Sequence, residues 1–380
     1  MIIGFDAKRI VSNSTGLGSY ARTLINSMSA LAKDKHQLWL YAPNSGSDNL
    51  RMQVEENDTV RYVYPRKARS GIARAYWRAH GIVRELKADG VEIYHGLTGE
   101  LPFGIKKSGI PSVVTIHDLI FMRHPEYYNP IDVRLYTMKF HRTCKEADRI
   151  IAISECTKRD IMQLGGVSED KIDVIYQSTG SQFLRRVSDS EMQTVHADYD
   201  LPARFILNVG TVEQRKNALL AVKALRHLPE DISLVIVGRH TPYTEKIKKY
   251  ISEHNMQQRV RLLNHVPYDH LPVIYQAAEA FVYPSRYEGF GIPIIEAIQS
   301  GLPVVACTGS CLEEAGGPHS LYVDPDDEVS LAAALQQSLI GAANRDIRIN
   351  QSRDYIRRFE GNDVASQVMK IYDKVVRGIH

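Results

Sequence analysis

The sequence lacks most of the features that mark secreted, membrane-spanning or nucleic-acid-binding proteins. Only 4 cysteines occur in 380 residues, and no Cys-x-x-Cys pair is present, which disfavours a disulfide framework and predicts reduced thiols. No apolar run is long enough to span a bilayer. The net charge of +3 is too small to indicate nucleic-acid binding. These absences leave an ordinary soluble globular protein as the starting hypothesis.

The N-terminus also lacks the signature of an exported protein. Residues 1–6 lead directly into a predicted strand, without the basic region and cleavage site of a signal peptide. The sequence therefore predicts a cytoplasmic protein. A basic helix at residues 72–86, described below, would allow it to bind the inner face of a membrane.

Short β-branched runs alternate with amphipathic helical stretches along the whole chain. This alternation predicts an α/β protein with parallel sheets, and the length predicts two domains. We expect two Rossmann-like domains that face each other across a cleft. The predicted domains are residues 1–180 and 200–355, joined by the Ser-, Thr- and Asp-rich segment 177–201, and a C-terminal helix at roughly residues 355–380 is predicted to pack back onto the first domain.

The strand predictions follow from β-branched runs bounded by turn residues. In the first domain they are 2–6, 37–41, 60–64, 92–94, 112–116, 149–154 and 171–176, and in the second 205–209, 233–237, 260–263, 280–283, 304–306 and 321–323.

The most informative segment is E-G-F-G-I-P-I-I-E at residues 288–296. A helix is predicted to begin just after Gly291, so the amides of Gly289, Phe290 and Gly291 would surround an anionic phosphate. Glu288 and Glu296 would repel phosphate, and they are better explained as acceptors for hydroxyl groups on either side of it. A nucleotide-diphosphate sugar has that order of groups. The alternative is a capped helix in which Glu296 is solvated.

A second turn, G-T-V-E-Q-R-K-N at 210–217, follows a strand and precedes a helix. Ligands bind at the carboxyl ends of strands in open α/β sheets, which makes Gly210 and Thr211 candidate binding residues. Arg215 and Lys216 would lie at a helix N-terminus, where only an intervening anion favours cations. The alternative is a solvated basic turn.

Two features of the first domain suggest ligand contacts. A glycine loop containing Gly16 follows the first strand, although such turns often need glycine for conformation alone. His117 directly follows the strand 112–116 and would point into the cleft, with Asp118 able to orient it; the alternative is a structural histidine bonded to backbone. His95, after the strand 92–94, is a weaker candidate for acceptor binding.

Residues 72–86 predict a basic amphipathic helix. Its apolar face is formed by Ile72, Tyr76, Ala79, Val83 and Leu86. Arg74, Arg78 and Arg84 lie away from that face, and Arg66, Lys67 and Arg69 precede the helix. The helix is either half-buried with a solvated basic side, or it contacts anionic lipid head groups or a polyprenyl diphosphate through Arg74 and Arg78.

Two Asp-x-Asp motifs have the spacing of a divalent-metal site beside a nucleotide sugar. Asp198 and Asp200 lie in the connecting segment, and Asp324 and Asp326 flank a proline after the last strand. Both motifs are explained more simply as turns, so no metal site is predicted.

Taken together, these motifs resemble a known family. P-S-R-Y-E-G-F-G-I-P at 284–293, E-A at 296–297 and G-L-P-V-V at 301–305 resemble the hallmark of retaining family-4 glycosyltransferases of GT-B fold. The resemblance extends to the 210–217 turn, to His117 and to the first glycine loop. It implies a retaining hexosyltransferase that moves a sugar from a nucleotide-diphosphate donor to a glycan or polyprenyl-diphosphate-linked acceptor, without an essential metal or other cofactor.

The resemblance also implies roles for individual residues on the donor side. Glu296 corresponds to the acid on the ribose hydroxyls and Glu288 to the acid on the sugar hydroxyls. Lys216 corresponds to the lysine on the diphosphate, and the amides of Phe290 and Gly291 face its distal phosphate. Thr211 departs from the pattern, since many members have arginine there, and Arg215 could replace that charge.

In the first domain, His117 corresponds to the histidine near the reacting carbon and Gly16 to the glycine close to the phosphate. The 210–217 turn favours GDP-mannose as donor. Two alternatives remain open from the residues: a nucleotide-sugar epimerase on the same scaffold, and a membrane-associated protein that binds a nucleotide sugar without chemistry.

Overall fold

The computed structural model of the protein describes residues 1–32, 35–68, 70–360 and 363–378. Contacts divide the chain into two compact units. One is formed by Met1–Gln177 with the C-terminal helix, and the other by the chain from Ser178 up to that helix. Arg69, predicted to precede the basic helix, lies outside the described residues.

The first unit is built on a parallel sheet whose strand order is β3-β2-β1-β4-β5-β6-β7 in the described part of the chain. The strands are β1 (Ile2–Asp6), β2 (Gln37–Tyr41), β3 (Val60–Val63), β4 (Ile93–Gly96), β5 (Ser112–Ile116), β6 (Arg149–Ala152) and β7 (Ile172–Val174). Central strands such as β5 are buried along their whole length, as expected when helices cover both faces of a parallel sheet.

The helices of the first unit connect these strands. They are α1 (Lys8–Ser12), α2 (Gly16–Ala32), α3 (Asp48–Arg51), α4 (Gly71–Tyr76), α5 (Ile82–Ala88), α6 (Ile105–Ser108), α7 (Ile120–Arg123), α8 (Pro130–Glu146) and α9 (Glu155–Gly165), with short 3-10 turns at Pro125–Tyr127 and Glu169–Lys171.

The second unit has its own parallel sheet, with the order β10-β9-β8-β11-β12-β13 among the described residues. The strands are β8 (Phe205–Val209), β9 (Ser233–Val237), β10 (Val260–Leu263), β11 (Ala280–Tyr283), β12 (Val304–Cys307) and β13 (Leu321–Val323).

Helices again cover this sheet. They are α10 (Asp189–Asp198), α11 (Ala218–Ala224), α12 (Tyr243–Glu253), α13 (Leu271–Ala277), α14 (Ile292–Gln299), α15 (Leu312–Gly316), α16 (Glu328–Gln336) and α17 (Arg345–Ile356), with 3-10 turns at Ser181–Phe183, Gln214–Lys216, Leu225–His227 and Arg357–Phe359.

Each sheet has one point where the strand order reverses direction. In the first unit this point lies between β1 and β4, and in the second between β8 and β11. The loops that leave neighbouring strands there go to opposite faces of the sheet, which opens a crevice at the carboxyl ends of the strands. Both units therefore have a place for a ligand that is set by topology alone.

The C-terminal helix α18 (Val364–Val376) belongs to the first unit. It packs on α2, and Tyr372 is fully buried. The Tyr372 hydroxyl is hydrogen-bonded to Nδ1 of His95 at 2.5 Å, and Nε2 of His95 lies 2.9 Å from Oγ1 of Thr115. Because His95 is fully buried with both ring nitrogens bonded, its predicted role in acceptor binding is wrong.

The fold class and strand positions agree with the sequence predictions, whereas the segment 177–201 is more ordered than a linker. Its Ser188 and Glu191 form a capping box that starts α10, and Phe183 is fully buried. Because α10 buries only Val195, its sequence has no apolar periodicity that would predict a helix.

The predicted basic helix is interrupted by a π-helical turn at Trp77–Gly81. The wider turn rotates α4 relative to α5, so the apolar face predicted from a 3.6-residue period does not continue through it. Ile72 is 86% and Tyr76 is 66% exposed, whereas Trp77 is buried in their place. No helix among the residues that the structure describes is both long and apolar enough to cross a bilayer.

Candidate active site

The second unit brings its two predicted motifs together at the β8–β11 switch point. The 210–217 turn leaves β8 and the 284–291 loop leaves β11. Asn208 donates through Nδ2 to the carbonyl of Val282 at 2.8 Å, and the Arg286 amide donates to the carbonyl of Arg215 at 2.9 Å. These bonds hold the two loops side by side.

Glu288 lies at the centre of a charged cluster, here called the Glu288 cluster, which also contains Lys216, Arg215 and Tyr283. Nζ of Lys216 is 2.6 Å from Oε1 of Glu288, and Nη1 of Arg215 is 2.8 Å from Oε2. The Tyr283 hydroxyl accepts from Lys216 at 2.7 Å and donates to Glu288 at 3.3 Å. Each carboxylate oxygen therefore has its own cation.

The cluster is buried, and its ion pairs decide its charge state. Burial disfavours an ionised Glu288, but the positive charges of Lys216 and Arg215 outweigh that effect and lower the pKa of the carboxyl. Burial likewise opposes a charged Lys216, and the negative charge of Glu288 raises the Lys216 pKa. Carboxylate and cations are thus charged together near neutral pH.

The 210–217 turn needs close backbone contacts to place these cations. Gly210 donates its amide to the carbonyl of Val237 at 2.9 Å. A Cβ atom at Gly238 would lie 1.8 Å from the Gly210 carbonyl oxygen, so only glycine fits at the end of β9. Gly238 was missed by sequence analysis, since a single glycine after a strand carries no specific signal. Thr211 is half-buried in the same turn.

Glu296 occupies a different environment, here called the Glu296 pocket, which also contains Tyr275 and Tyr268. The Tyr275 hydroxyl donates to Oε2 of Glu296 at 3.0 Å, and the Tyr268 hydroxyl lies 3.5 Å from Oε1. No cation of the described residues forms an ion pair with Glu296. Burial raises the pKa of this carboxyl to about 7, although both tyrosines lower it.

The glycine segment between the two acids immediately precedes α14, as predicted. Gly291 immediately precedes the helix, and its carbonyl accepts from the amide of Ile294 at 2.9 Å. A Cβ atom at Gly291 would lie 2.7 Å from Cβ of Ala315, so α14 and α15 meet there only because the residue is glycine. Phe290 is buried, edge-on against Phe359. Gly289, Phe290 and Gly291 thus lie at the positive end of the helix dipole.

His117 lies at the carboxyl end of β5 in the first unit. Its Nε2 atom is 3.0 Å from the carbonyl of Leu97, and Nδ1 is 3.1 Å from Nε2 of Gln177. The ring of Tyr20 meets the imidazole edge-on, with centroids 4.7 Å apart. Burial lowers the His117 pKa to about 4. His117 is therefore a neutral imidazole bonded to backbone, which fits the alternative of a structural histidine. It can act as an acid or base only if it gives up its hydrogen bond to Leu97 or to Gln177.

Gly16 is the first residue of α2. Apart from Gly16 itself, its two chain neighbours and the adjacent backbone of α2, no heavy atom of the described residues lies within 4 Å of the position that its Cβ would take. Gly18 is different, because its Cβ would lie 1.9 Å from the carbonyl oxygen of Asn13. The loop therefore needs glycine at Gly18 for packing, while Gly16 has space for a neighbouring group.

The Asp-x-Asp motifs have local roles. Asp326 forms an ion pair with Arg286 and donates its amide to Asp324 at 2.8 Å, while Asp200 lies 3.2 Å from Arg261. The described residues contain no group of three or more metal-ligating side chains.

The tyrosines of the site were missed by sequence analysis. Tyr283 ends β11 and Tyr275 lies in α13, and both are buried with their hydroxyls on a glutamate. Their rings flank Phe281, with centroids 5.4 and 5.9 Å from it. The only sequence signal was aromatic residues near β11, which fits any buried strand equally well.

The arrangement as a whole combines three chemical elements in one unit. An ionised, cation-paired acid lies before α14, the amides of a glycine segment immediately precede the first residue of that helix, and an acid with a raised pKa lies one turn inside the helix. Such a site can accept hydrogen bonds from hydroxyl groups at both acids and can stabilise an anion between them.

Two family models match the chain. The model described as glycosyl transferases group 1 matches residues 195–355, and the model described as glycosyltransferase family 4 matches residues 16–178. The first match contains both the Glu288 cluster and the Glu296 pocket, and the second contains Gly16 and His117.

Similar proteins include two bacterial mannosyltransferases. O-antigen chain mannosyltransferase B of Escherichia coli is 28% identical over 387 residues, which cover 98% of this chain and 99% of that protein. O-antigen chain mannosyltransferase RfbU of Salmonella typhimurium is 27% identical over 259 residues, covering 67% of each. Among solved structures, Anabaena HepE in complex with UDP and glucose has a TM-score of 0.75 at 17% identity, covering 98% of this chain and 99% of that one.

Proposed function

The chain belongs to the family-4 glycosyltransferases of GT-B fold, and on that basis we propose that it transfers mannose from GDP-mannose to a glycan acceptor with retention of anomeric configuration. The observation that carries the proposal is the pair of acids at the start of α14. Glu288 is ionised, whereas burial raises the pKa of Glu296 to about 7. The two acids lie on either side of the glycine segment 289–291, whose amides suit a diphosphate.

In the proposed complex the diphosphate lies against the amides of Gly289, Phe290 and Gly291. The Glu296 pocket takes the ribose hydroxyls, and Glu288 takes hydroxyls of the sugar. A carboxylate accepts hydrogen bonds from hydroxyls on both oxygens. Glu288, ionised by its cations, is ready to accept, whereas Glu296 must release its proton to do so.

Lys216 has hydrogen-bonding capacity left for the diphosphate. An ammonium group has three N–H donors, and two of them point to Glu288 and Tyr283. The third would meet an oxygen of the leaving phosphate. Arg215 binds Glu288, Glu213 and the Tyr287 carbonyl. We propose that its charge replaces that of the arginine which many members of the family have at the position of Thr211.

The proposed chemistry depends on charge that develops during the reaction. As the sugar–phosphate bond breaks, negative charge grows on the nucleoside diphosphate, and preorganised donors stabilise it where it forms; losing one such donor typically costs about 2.7–4 kcal/mol. With Lys216, Arg215 and the α14 amides in that role, we propose a metal-independent reaction. We favour a front-face displacement in which the departing phosphate takes the acceptor proton, which retains the configuration.

The proposed roles in the first unit are more limited. We propose that His117, kept neutral because burial lowers its pKa to about 4, exchanges its bond to the Leu97 carbonyl for a hydrogen bond to the transferred sugar. Gly16 is proposed to leave room for a phosphate, which fits the open space at its Cβ position.

The donor and acceptor are proposed from the relatives. Two similar proteins carry the name O-antigen chain mannosyltransferase, which supports mannose as the transferred sugar and a glycan as the acceptor. The choice of guanine as base rests on the 210–217 turn alone.

Contact with the inner face of a membrane is also proposed, with a change from the sequence prediction. Arg78 forms ion pairs with Asp6 and Glu100 and its side chain is only 16% exposed, so its predicted lipid contact is wrong. The exposed side chains of Ile72 and Tyr76 would insert instead, next to Arg74. We expect an Ile72→Ser, Tyr76→Ser double variant to bind anionic vesicles less in co-sedimentation than an Ile340→Ser control, which removes an equally exposed side chain from the second unit.

The central test is a thermal-shift panel of nucleotide sugars followed by transfer assays. We expect the largest stabilisation from GDP-mannose, transfer of mannose to a mannose-terminated oligosaccharide in the presence of a chelator, and an α-linked product from the α-linked donor by NMR. Conversion of the donor without acceptor would favour an epimerase, and binding without any turnover would favour a non-catalytic protein.

A further inference from the structure

The first unit contains a cavity of about 320 Å³ that the proposed donor site does not use. Asp6 at the end of β1 and Tyr94 in β4 both line it, so it opens at the switch point of the first sheet. Further walls are contributed by the α4 segment, by α8, by residues 100–103 after β4, by Lys8 of α1 and by Pro43 and Asn44 after β2. Topology therefore places this cavity where an open α/β sheet binds ligands.

Two carboxylates of the cavity are already neutralised by two cations. Arg78 forms ion pairs with both Asp6 and Glu100, and Lys139 lies 3.2 Å from Glu100. Although burial opposes ionisation of Glu100, the charges of Arg78 and Lys139 lower its pKa to about 2. This network is complete in itself, so it fixes the wall of the cavity rather than attracting a ligand.

Two further cations line the cavity without such compensation. Lys8 and Arg74 form no ion pair with any residue that the structure describes, and both side chains are half-buried. Burial lowers the pKa of Lys8 and the nearby charge of Arg78 lowers it further, whereas the charges of Glu100 and Asp6 raise it, and the net effect is a lowered pKa. An anion bound here would relieve that repulsion. The cavity thus has two positive charges available for a ligand.

The rest of the lining combines a third basic group with apolar surface. Arg142 pairs with Glu146 at 3.5 Å and lies over the ring of Phe103. Ala75, Ala79, Leu101 and Pro102 complete the apolar part of the wall. A ligand that fits this surface has an anionic group attached to apolar or ring-shaped parts.

We propose that this cavity binds the diphosphate group of a lipid-linked acceptor, with Lys8 and Arg74 as its charge partners. A diphosphate that links a lipid to a sugar carries two negative charges, which match the two available cations, whereas a single carboxylate or a neutral glycan leaves at least one of them without a partner. The exposed Ile72 and Tyr76 beside Arg74 in α4 provide apolar surface for the lipid. That the ligand is an acceptor rests on the proposed function, whereas the diphosphate site rests on the lining of the cavity alone.

The test measures binding of three probes to the full chain by calorimetry: farnesyl diphosphate, inorganic pyrophosphate and farnesol. We expect farnesyl diphosphate to bind, and a Lys8→Gln, Arg74→Gln double variant to weaken it at least about tenfold, since two charge-assisted hydrogen bonds are lost. Tighter binding of farnesyl diphosphate than of either pyrophosphate or farnesol supports a lipid-linked diphosphate. Equal binding of farnesyl diphosphate and pyrophosphate identifies a soluble phosphate as the ligand and overturns the lipid-linked source.

Control variants separate this cavity from the donor site. A Lys107→Gln, Arg84→Gln double variant removes the same charge from exposed positions of the same unit and should bind farnesyl diphosphate like the wild type. We expect farnesyl diphosphate still to bind Lys216→Ala, which lacks the lysine of the proposed donor site, so the binding that remains belongs to the cavity. A Lys8→Arg, Arg74→Lys variant should retain most of the wild-type affinity. Unchanged binding in the Lys8→Gln, Arg74→Gln variant, or loss of binding only in Lys216→Ala, overturns the proposal.

The same variants show which of the two proposals fails. If the Lys8→Gln, Arg74→Gln variant keeps nucleotide-sugar binding and loses transfer to a diphosphate-linked acceptor, both proposals are supported. If it transfers to that acceptor at the wild-type rate, the cavity proposal is wrong and the glycosyltransferase proposal stands. If the wild type binds farnesyl diphosphate at the cavity but no nucleotide sugar, the donor proposal is wrong and the cavity stands.

Discussion

Lys216 and Glu288 are 72 residues apart in the chain, and their Nζ and Oε1 atoms lie 2.6 Å apart at the β8–β11 switch point. The pair is buried, with side-chain exposures of 17% and 9%. A buried ion pair is a weak source of stability in itself, because desolvation offsets much of its attraction. We therefore propose that the pair serves to fix the position and charge of both groups before a donor binds.

Replacing Lys216 with alanine should affect both ligand binding and stability. The variant leaves the buried Glu288 with Arg215 as its remaining cation, so we expect a loss of about 1–3 kcal/mol in the free energy of unfolding. Donor affinity or turnover should fall at least about tenfold, the value of one charge-assisted hydrogen bond. Urea denaturation and calorimetry with GDP-mannose measure the two effects.

Lys223→Ala is the matched control for that variant. Lys223 forms an exposed ion pair with Glu328 at 3.5 Å in the same unit, and such pairs contribute about 0–1 kcal/mol. We expect nearly wild-type stability and donor affinity. If the Lys216 and Lys223 variants behave alike, the Glu288 cluster is a surface ion pair without a role in binding.

Glu296 should make the stability of the protein depend on pH in an unusual direction. Its pKa is about 7 in the folded protein against an ordinary value of 4.5, so between these pH values only the unfolded chain releases the proton. The contribution of Glu296 to the free energy of unfolding is complete below pH 4.5 and is lost as pH rises to about 7. The loss should be on the order of 3 kcal/mol, at about 1.4 kcal/mol per pKa unit.

The check compares urea denaturation of the wild type and Glu296→Gln from pH 4.5 to 8. The variant should lack this part of the pH dependence, while Glu230→Gln, at an exposed position, should retain it. Donor affinity of the wild type should also rise with pH towards 8, because hydroxyl groups need the ionised carboxylate as acceptor. A wild-type profile identical to that of Glu296→Gln contradicts the assignment.

Sequence patterns predicted the sheets well, because strands in a parallel sheet are buried on both faces and read as continuous apolar runs. Ser233–Val237 and Ala280–Tyr283 were placed at their observed ends. The acids and cations of the candidate site were also found, since glycine, proline and charge coincide at a helix start. Its tyrosines were not, because an aromatic residue near a strand gives no indication of where its hydroxyl points.

Two other differences arise from contacts that are distant in the chain. The π turn at Trp77–Gly81 leaves no mark in the apolar pattern, and it exposes Ile72 and Tyr76. His95 has the same local sequence context as His117, yet Tyr372 from the C-terminal helix covers it. Neither feature can be predicted from the apolar periodicity of the local sequence.

The bond between Tyr372 and His95 should contribute to the docking of α18. Tyr372→Phe removes the hydroxyl and leaves Nδ1 of a fully buried imidazole without its partner. An unsatisfied buried polar group costs about 1–3 kcal/mol, which we expect as the loss in unfolding free energy. Tyr76→Phe, whose ring is exposed, should change stability by less than about 0.5 kcal/mol. Equal effects of the two variants would mean that the His95 bond does not anchor the helix.

The two glycines at the start of α2 should respond differently to the same substitution. Gly18→Ala places a Cβ 1.9 Å from the Asn13 carbonyl oxygen, so the loop must shift, and we expect a loss of about 1–3 kcal/mol in unfolding free energy. Gly16→Ala meets no heavy atom of the described residues within 4 Å and should change stability by less than about 0.5 kcal/mol. If a phosphate approaches Gly16 during the reaction, however, the added methyl group occupies its space. Gly16→Ala should therefore lower turnover at least about tenfold, the effect of about 1.4 kcal/mol on the barrier, in protein that is fully folded by thermal denaturation. Wild-type turnover in that variant would remove Gly16 from the site and leave Gly18 as the one glycine that the loop needs, for packing alone.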